Sequence, residues 1–204
     1  MTRKVLFLLL LFPLWASTQP ANFRFYTTAD GLSGSFTHGI TQDERGFLWV
    51  LNDYKLHRFD GRNFVEYMPP ADTSGRRDEL FALYRLQDSL LLLLSPSRLY
   101  LFEPNSGVWQ SFPAPKLNDH KTVFQNAFPL ENGDYGVGLY SEDEQVVNVY
   151  TFNGQQFGKR LHKNIPFPPG KYCTLLPDGQ LLLYQRTIER YLPDKQKESA
   201  TLWS

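Results

Sequence analysis

The hydrophobic positions of this chain fall in short runs of about five residues, separated by polar turns. Four of these turns have a similar composition and end in Gly or Ser. They are Gln42–Gly46, Leu86–Ser89, Leu130–Gly133 and Leu176–Gly179, and their last residues lie 43, 44 and 46 positions apart. A pattern that returns at a nearly constant interval of this size indicates a repeat protein.

Each polar turn is followed by two apolar runs with the length and composition of β-strands. The first runs are Phe47–Leu51, Leu90–Leu94, Tyr135–Tyr140 and Gln180–Tyr184, and the second are Leu56–Phe59, Leu99–Phe102, Val146–Phe152 and Thr187–Tyr191. In the first three units, another turn leads into a last, aromatic strand at Phe64–Tyr67, Val108–Phe112 and Gln156–Phe157. With the apolar run before the polar turn, each of these three units has four short strands.

Four short strands in every stretch of about 45 residues, joined by Asp-Gly and Asn-Gly turns, are typical of a β-propeller blade. We therefore predict an all-β fold of four-stranded antiparallel blades, with about four blades at residues 23–67, 80–112, 122–157 and 171–204. Helical repeats are excluded because the apolar runs are too short and are broken by Gly, Pro, Asn and Asp. A β-sandwich stays open as an alternative, although it does not explain a recurring four-strand unit.

The most specific motif is the stretch Gly46–Gly61. Together with the upstream stretch Phe25–Ser33, it resembles the two-component regulator propeller repeat of sensor ectodomains in bacterial histidine kinases. The shared residues are Gly46-Phe-Leu-Trp49, Leu56, Arg58 and Asp60-Gly61, with Val50 and Phe59 as conservative substitutions. Leu51, Asn52 and Lys55 replace a Gly, a Thr and a Gly of that repeat. Because Lys at a Gly position disfavours positive φ, we expect a different geometry in the hairpin before Lys55.

The resemblance implies a large receptor. Such proteins carry one or two seven-bladed propellers, an immunoglobulin-like module, a membrane helix and a cytoplasmic kinase or other output domain. Four blades would then be an incomplete ring. The implied partners are an extracellular ligand, such as an oligosaccharide, and the further blades, membrane and kinase parts of the receptor. The resemblance is close over residues 23–67 and extends to residues 80–191 only in spacing and turn chemistry.

The first residues have the pattern of a secretory signal peptide. A basic start, Met1–Lys4, precedes the apolar run Val5–Trp15 and the small and polar residues Ala16–Gln19. The apolar run is too short to span a bilayer core of about 30 Å. We therefore predict a signal peptide at residues 1–18 and a periplasmic location.

The composition disfavours some classes of binding partner and excludes an intramolecular disulfide as a source of stability. The chain has 21 Lys and Arg residues and 21 Asp and Glu residues, so no net charge attracts a nucleic acid. Its single cysteine, Cys173, cannot close an intramolecular disulfide, and packing must therefore stabilise the fold. The apolar neighbours of Cys173 predict a buried, inert thiol.

The sequence offers no candidate for catalytic or metal-binding chemistry. The histidines, His38, His57, His120 and His162, have no metal-ligand spacing, and we interpret them as solvated or as hairpin-edge residues. Glu142–Glu144 lacks the pattern of a calcium loop and is interpreted as a solvated turn. No phosphate loop, nucleophile elbow or Cys-His pair is present. We therefore predict no catalytic residue, no metal and no cofactor.

Ligand contacts are expected in the loops at one end of the blades, because the sheets hold these variable loops in place. In blade one the loops are Leu32–Phe36 and Asn52–Tyr54. The candidate contacts are Ser35, Phe36, Asn52 and Tyr54, and an exposed ring makes Tyr54 the first choice. A ligand-sensing region is the leading hypothesis. The alternatives are a propeller that binds other proteins, and a glycosidase or lyase with two carboxylates about 5 to 10 Å apart.

Overall fold

A computed structural model describes residues 23–86, 90–115, 122–167, 172–184, 188–191 and 198–200. These residues form sixteen β-strands and one turn of 3-10 helix, Thr28–Asp30. The strands make four sheets of four, and within each sheet a strand pairs antiparallel with the strands next to it in the sequence. The prediction of four-stranded antiparallel blades is confirmed. The predicted signal peptide, residues 1–18, lies outside the described residues.

The strand bounds follow the repeat closely. Sheet 1 contains β1 (Thr37–Gln42), β2 (Leu48–Asn52), β3 (Lys55–Phe59) and β4 (Phe64–Tyr67); sheet 2 contains β5 (Ala82–Arg85), β6 (Leu91–Leu94), β7 (Arg98–Glu103) and β8 (Val108–Pro113). Sheet 3 contains β9 (Thr122–Pro129), β10 (Tyr135–Ser141), β11 (Val146–Phe152) and β12 (Phe157–Pro166); sheet 4 contains β13 (Tyr172–Leu175), β14 (Leu181–Tyr184), β15 (Ile188–Tyr191) and β16 (Glu198–Ala200).

The sheets pack face to face in the order of the sequence, and β6 shows how. All four leucines of Leu91–Leu94 are fully buried. Leu91 and Leu93 join the apolar layer shared with sheet 1, whereas Leu92 and Leu94 join the layer shared with sheet 3. Successive side chains of a strand point to opposite faces, so a strand covered on both faces is apolar throughout. A neighbouring sheet therefore covers each face of β6, and this serial packing is that of propeller blades.

Aromatic rings fill the space between neighbouring blades. Trp49 of sheet 1 is fully buried and packs edge-on against Phe102 of sheet 2, with ring centroids 5.4 Å apart. Phe102 also contacts Trp109 at 4.5 Å, and Phe112 of sheet 2 contacts Phe152 of sheet 3 at 5.0 Å. Large rings bury much apolar area per residue, and this area supplies the packing that the fold requires without a disulfide.

The inner turns repeat the same backbone conformation. Gly46, Gly133 and Gly179 end the turns before β2, β10 and β14, and their φ angles are 85°, 86° and 85°. Glycine adopts positive φ without steric cost, which explains why these turns keep it. The shared geometry supports the turn alignment on which the repeat was recognised.

One outer strand differs from its sequence-based prediction. The pattern marked only Gln156–Phe157 as the last strand of the third unit, whereas β12 runs from Phe157 to Pro166. Its pairing with β11 shifts register three times, and Asn164 has a positive φ of 50°. Asn148 accepts a hydrogen bond of 3.0 Å from the backbone nitrogen of Asn164. Bulges interrupt the two-residue alternation, and this strand therefore gave no clear hydrophobic period.

Candidate functional site

Two loops meet at one end of sheet 1. The loop that enters β1 contains Phe36, and the turn between β2 and β3 contains Asp53 and Tyr54. The backbone nitrogen of Asp53 donates a hydrogen bond of 2.9 Å to Phe36 O. The nitrogen of Leu80, on the link to sheet 2, donates one of 3.3 Å to Tyr54 O. These bonds join the loop, the turn and the start of the next blade into one surface.

The buried side chain of Asn52 fixes this surface through hydrogen bonds to the loop. It is 1% exposed, and its Oδ1 accepts a hydrogen bond of 2.9 Å from Gly34 N. Its Nδ2 donates to Gly34 O at 3.1 Å, Phe36 O at 3.0 Å and Thr37 Oγ1 at 3.4 Å. A buried amide with these partners is fully engaged. Asn52 therefore positions the loop.

The turn that carries Tyr54 has an unusual backbone. Asp53 and Tyr54 have positive φ angles of 49° and 65°, and Asn52 pairs with Lys55 across this two-residue hairpin. Positive φ at both central residues is typical of a type I′ turn, which usually contains Gly or Asn. The hairpin before Lys55 therefore has an unusual backbone, as expected. The residues at positive φ, however, are Asp53 and Tyr54, not Lys55. A bulky residue at positive φ is costly and occurs often at functional sites.

Three rings gather on this surface, and we call Phe36, His38 and Tyr54 the aromatic platform. His38 lies between the other two, with centroids 4.9 Å from Phe36 and 4.9 Å from Tyr54. Phe36 is 67% exposed and Tyr54 is 45% exposed. His38 Nε2 is buried and has no hydrogen-bond partner in the structure. The platform thus combines two apolar ring surfaces with one unsatisfied polar nitrogen.

The residues predicted as ligand contacts have different positions. Ser35, Phe36 and Tyr54 are exposed at the surface, and their contact with a ligand stays a prediction. Burial leaves no comparable surface on Asn52, so its role in this structure is to position the loop. Sequence reasoning missed His38, which was interpreted as an ordinary solvated histidine. The only available signal was its place two residues after Phe36, where alternation in a strand favours the same face.

Two other histidines correct the interpretation that these residues are solvated or at hairpin edges. His57 is fully buried, and its Nε2 lies 3.0 Å from Ser33 Oγ while its Nδ1 lies 3.2 Å from Lys55 O. Burial lowers the pKa of His57 below its usual value. His162 is 4% exposed and lies 2.7 Å from Gly179 O through Nε2. Both histidines tie neighbouring segments together in the interior. His120 lies outside the described residues.

The remaining residues considered for reactive or metal-binding chemistry have structural contacts instead. Cys173 is half-buried and accepts a hydrogen bond of 2.9 Å from Asn126 Nδ2. Burial raises the pKa of its thiol, which is therefore protonated and unreactive at neutral pH. Within the described ranges, no three His, Cys, Asp or Glu side chains are grouped so that they could hold a metal ion. The described part of the chain also lacks a helix long and apolar enough to cross a membrane.

No protein-family model and no curated protein matches the sequence. Comparison in three dimensions, however, finds solved structures with the same fold. The extracellular domain of the hybrid two-component system BT3049 from B. thetaiotaomicron has a TM-score of 0.64 and 16% identity, over 87% of this chain and 26% of that chain. The extracellular domain of BT4673 from the same organism has a TM-score of 0.65 and 15% identity, over 92% and 27% of the two chains.

A calcium-binding protein, regucalcin from Agrobacterium tumefaciens, is also similar, with a TM-score of 0.52 and 18% identity over 80% of this chain and 58% of that chain. Identities this low show the fold alone, which is that of β-propeller blades. The chain spans about a quarter of the length of the two sensor domains. The structure thus agrees with the propeller fold that the motif in Gly46–Gly61 predicts.

Proposed function

We propose that this chain is a ligand-binding part of the periplasmic region of a bacterial two-component receptor. The sequence motif of blade one and the similarity to two extracellular sensor domains support the proposal. The N-terminal signal pattern supports export. In such a receptor, a ligand acts by binding one arrangement of the ectodomain more tightly than another.

The aromatic platform is the observation that carries this proposal. Phe36 and Tyr54 expose their rings on loops that Asn52 and the backbone of Asp53 hold in place. Exposed aromatic rings on a rigid surface favour binding, because little side-chain entropy is lost when a ligand covers them. The strained turn at Tyr54 supports the same site, since a costly backbone persists where a function requires it.

The chemistry of the platform fits an oligosaccharide. The C–H face of a sugar packs against aromatic rings, and its hydroxyl groups supply hydrogen bonds to a polar neighbour. The exposed hydroxyl group of Ser35, on the same loop, is such a neighbour. His38 Nε2 is buried, so His38 contributes the ring between the other two. A hydroxyl group both donates and accepts, so it suits either partner role of a sugar hydroxyl.

Isothermal titration calorimetry with a broad panel of oligosaccharides tests the proposal on the full receptor ectodomain. We expect at least one glycan to bind, and Phe36→Ala and Tyr54→Ala each to weaken binding about tenfold, which is typical of a central aromatic contact. Phe25→Ala is the matched control, because Phe25 is 85% exposed and is not part of the platform. Absence of heat with every glycan, or equal weakening by the control, would overturn the proposal.

The same experiment separates the two alternatives. A glycosidase or lyase would cleave the bound glycan, so analysis of the reaction products by mass spectrometry would show shorter chains. A propeller that binds other proteins would leave all glycans unbound and lose its protein partner in the platform variants. Neither alternative is favoured by a feature of the platform itself.

A further inference from the structure

A cleft separate from the platform lies between the linker after β4 and the outer half of sheet 2. Pro70, Ala71 and Asp72 of the linker form one wall, and Arg98, Tyr100, Trp109 and Ser111 form the other. The cleft encloses about 160 Å³. None of the four predicted ligand contacts lines this cleft, which is formed by a different loop and a different blade.

Trp109 forms a fixed aromatic wall. Its ring packs against Phe102 with centroids 4.5 Å apart and edge-on against Tyr100 at 5.9 Å. Phe102 is fully buried and Tyr100 is 2% exposed, so the indole rests on the core. The same side chain also lines the cleft. A ring held in this way contacts a ligand without losing rotamer freedom.

Arg98 is oriented by a partly buried hydrogen-bond network. Asp78 Oδ2 accepts hydrogen bonds from Arg98 Nη1 at 3.2 Å and Tyr100 Oη at 2.9 Å. The hydroxyl groups of Ser95 and Ser97 each donate to the same oxygen at 2.8 Å. A carboxylate with four donors is rigid and holds the guanidinium in one place. The side chain of Arg98 is still 36% exposed, and a guanidinium has more N–H donors than Asp78 engages.

The opposite wall supplies acceptors. Asp72 Oδ1 accepts hydrogen bonds from the backbone nitrogens of Ser74 and Arg76 and from the hydroxyl group of Ser74. The hydrogen bond from that hydroxyl group is the main reason that the pKa of Asp72 is lowered, and the carboxylate is therefore ionised at neutral pH. The exposed hydroxyl group of Ser111 adds a donor and an acceptor.

The charges of the cleft favour a neutral ligand. Arg98 is already paired with Asp78, so an anionic ligand would gain little from it and would meet Asp72. A cationic ligand would meet Arg98 instead. A ligand with several hydroxyl groups, in contrast, uses the donors of Arg98 and the acceptors of Asp72 without a net charge. The aromatic wall requires that this ligand also present an apolar face.

From these features we infer that the cleft binds a single neutral sugar ring, with its C–H face on Trp109 and its hydroxyl groups on Arg98, Asp72 and Ser111. The small volume admits one six-membered ring and excludes a longer chain from full enclosure. This inference does not rest on the proposed receptor function or on the platform. It gives the chain a second binding site, which lies on blade two.

Nuclear magnetic resonance of the indole N–H groups gives a direct test. The probes are methyl glucoside, methyl galactoside and methyl xyloside at millimolar concentration, the range expected for so few ligand atoms. We expect a saturable shift of the Trp109 signal with at least one probe. The Trp49 signal is an internal control, because its N–H is bonded to Asp43 in the core. It should not move.

Two variants and two further ligands complete the test. Arg98→Lys should weaken binding about tenfold, since it keeps the charge and loses the planar fork, and Ser111→Ala should weaken it several-fold. Arg62→Lys, at an exposed hairpin of sheet 1, is the matched control and should change nothing. Cyclohexanol and glucuronate should bind more weakly than the matching neutral sugar.

Several outcomes would overturn the inference. These are no shift of Trp109 with any probe, equal binding by Arg98→Lys, or binding of cyclohexanol or glucuronate as tight as that of the neutral sugars. Phe36→Ala distinguishes this site from the platform, because it should leave the Trp109 shift unchanged. A failure of the platform proposal would therefore not remove the cleft, and a failure of the cleft would not remove the platform.

Discussion

The indole nitrogen of Trp49 donates a hydrogen bond of 2.8 Å to Asp43 Oδ2 in the interior of blade one. The other oxygen of Asp43 accepts from the backbone nitrogens of Arg45 and Phe47 at 2.9 and 3.0 Å. Asp43 is 7% exposed and Trp49 is fully buried. One carboxylate therefore closes the inner turn and orients the largest ring of the interface between sheets 1 and 2.

Replacing Asp43 by Ala should lower the free energy of unfolding by about 2 to 4 kcal/mol, because three donors lose their acceptor and one of them is a buried indole N–H. Denaturant unfolding followed by tryptophan fluorescence measures the change. Asp43→Asn is the control, since it keeps one acceptor oxygen and should lose less. A loss for Asp43→Ala no larger than that for Asp43→Asn would contradict this account.

Trp49→Ala should lower the free energy of unfolding by about 3 to 5 kcal/mol, the usual range for a buried aromatic ring.

Replacing Asn52 by Ala should disorder the loop around Phe36. Gly34 and Phe36 lose their three hydrogen bonds with the amide, and we expect a cost of about 2 to 3 kcal/mol. The ring protons of His38 report the local effect, because Phe36 and Tyr54 lie close enough to shift their magnetic resonance signals. Those signals should move toward the values of an unstructured peptide.

Asn52→Asp is the matched control for that experiment. It keeps the oxygen that accepts from Gly34 but places a second acceptor opposite Phe36 O, so it should be nearly as harmful as Asn52→Ala. A variant with unchanged His38 signals and lower stability would show that Asn52 supports the fold without positioning the platform.

Acid should destabilise the protein through His57. Burial of the ring lowers its pKa in the folded state, so below the unfolded pKa of about 6.5 the unfolded chain binds more protons. The contribution of the neutral ring is present above that pH and is lost as the pH falls through the folded pKa. Unfolding free energies at a series of pH values measure the slope. His57→Gln should remove this slope while a second one, from Glu66, stays at lower pH.

Glu66 should cause a second loss of stability at lower pH. Burial alone would raise its pKa, but hydrogen bonds from Lys55 and Ser33 outweigh burial and lower it. Its contribution is therefore present above the usual glutamate pKa and is lost as the pH falls below it. A wild-type protein whose stability is constant between pH 7 and about 5 would contradict the role assigned to His57.

Alkali should act through Tyr100. Burial, together with the hydrogen bond to Asp78, raises the pKa of Tyr100 to about 12. The folded state then holds its proton more tightly than the unfolded state, so this stability is complete below pH 10 and is lost as the pH rises from about 10 to 12. Ultraviolet absorbance titration should show that Tyr100 ionises late, as should Tyr84 and Tyr135, whose pKa values burial also raises. Asp78→Asn should lower the pKa of Tyr100, and an unchanged titration in that variant would contradict the network.

Much of the fold could be predicted from the sequence, for reasons that are local. Short apolar runs, Gly at turns that need positive φ, and the interval between turns depend on neighbouring residues only. They located the central strands to within one residue at either end, as for Leu91–Leu94. They failed at β12, where bulges interrupt the alternation on which such predictions depend.

The site was predicted only in part, because it depends on contacts between distant residues. Phe36 and Tyr54 were recognisable as aromatic residues in loops. The burial of Asn52 and the place of His38 between the two rings arise from the pairing register of β1 and β2 and from the path of the loop before them. No pattern in a single stretch of sequence records which side chains face one another across two strands.

The sequence alone thus determined the repeating four-strand unit, since strand alternation and turn chemistry are written in adjacent residues. The tertiary structure decided which polar side chains became buried or partly buried connectors, as with His57 bonded to Ser33 and Asp78 bonded to Arg98. The physical reason is that the hydrogen-bond partners of a buried group are separated by many residues and meet only when the sheets have packed.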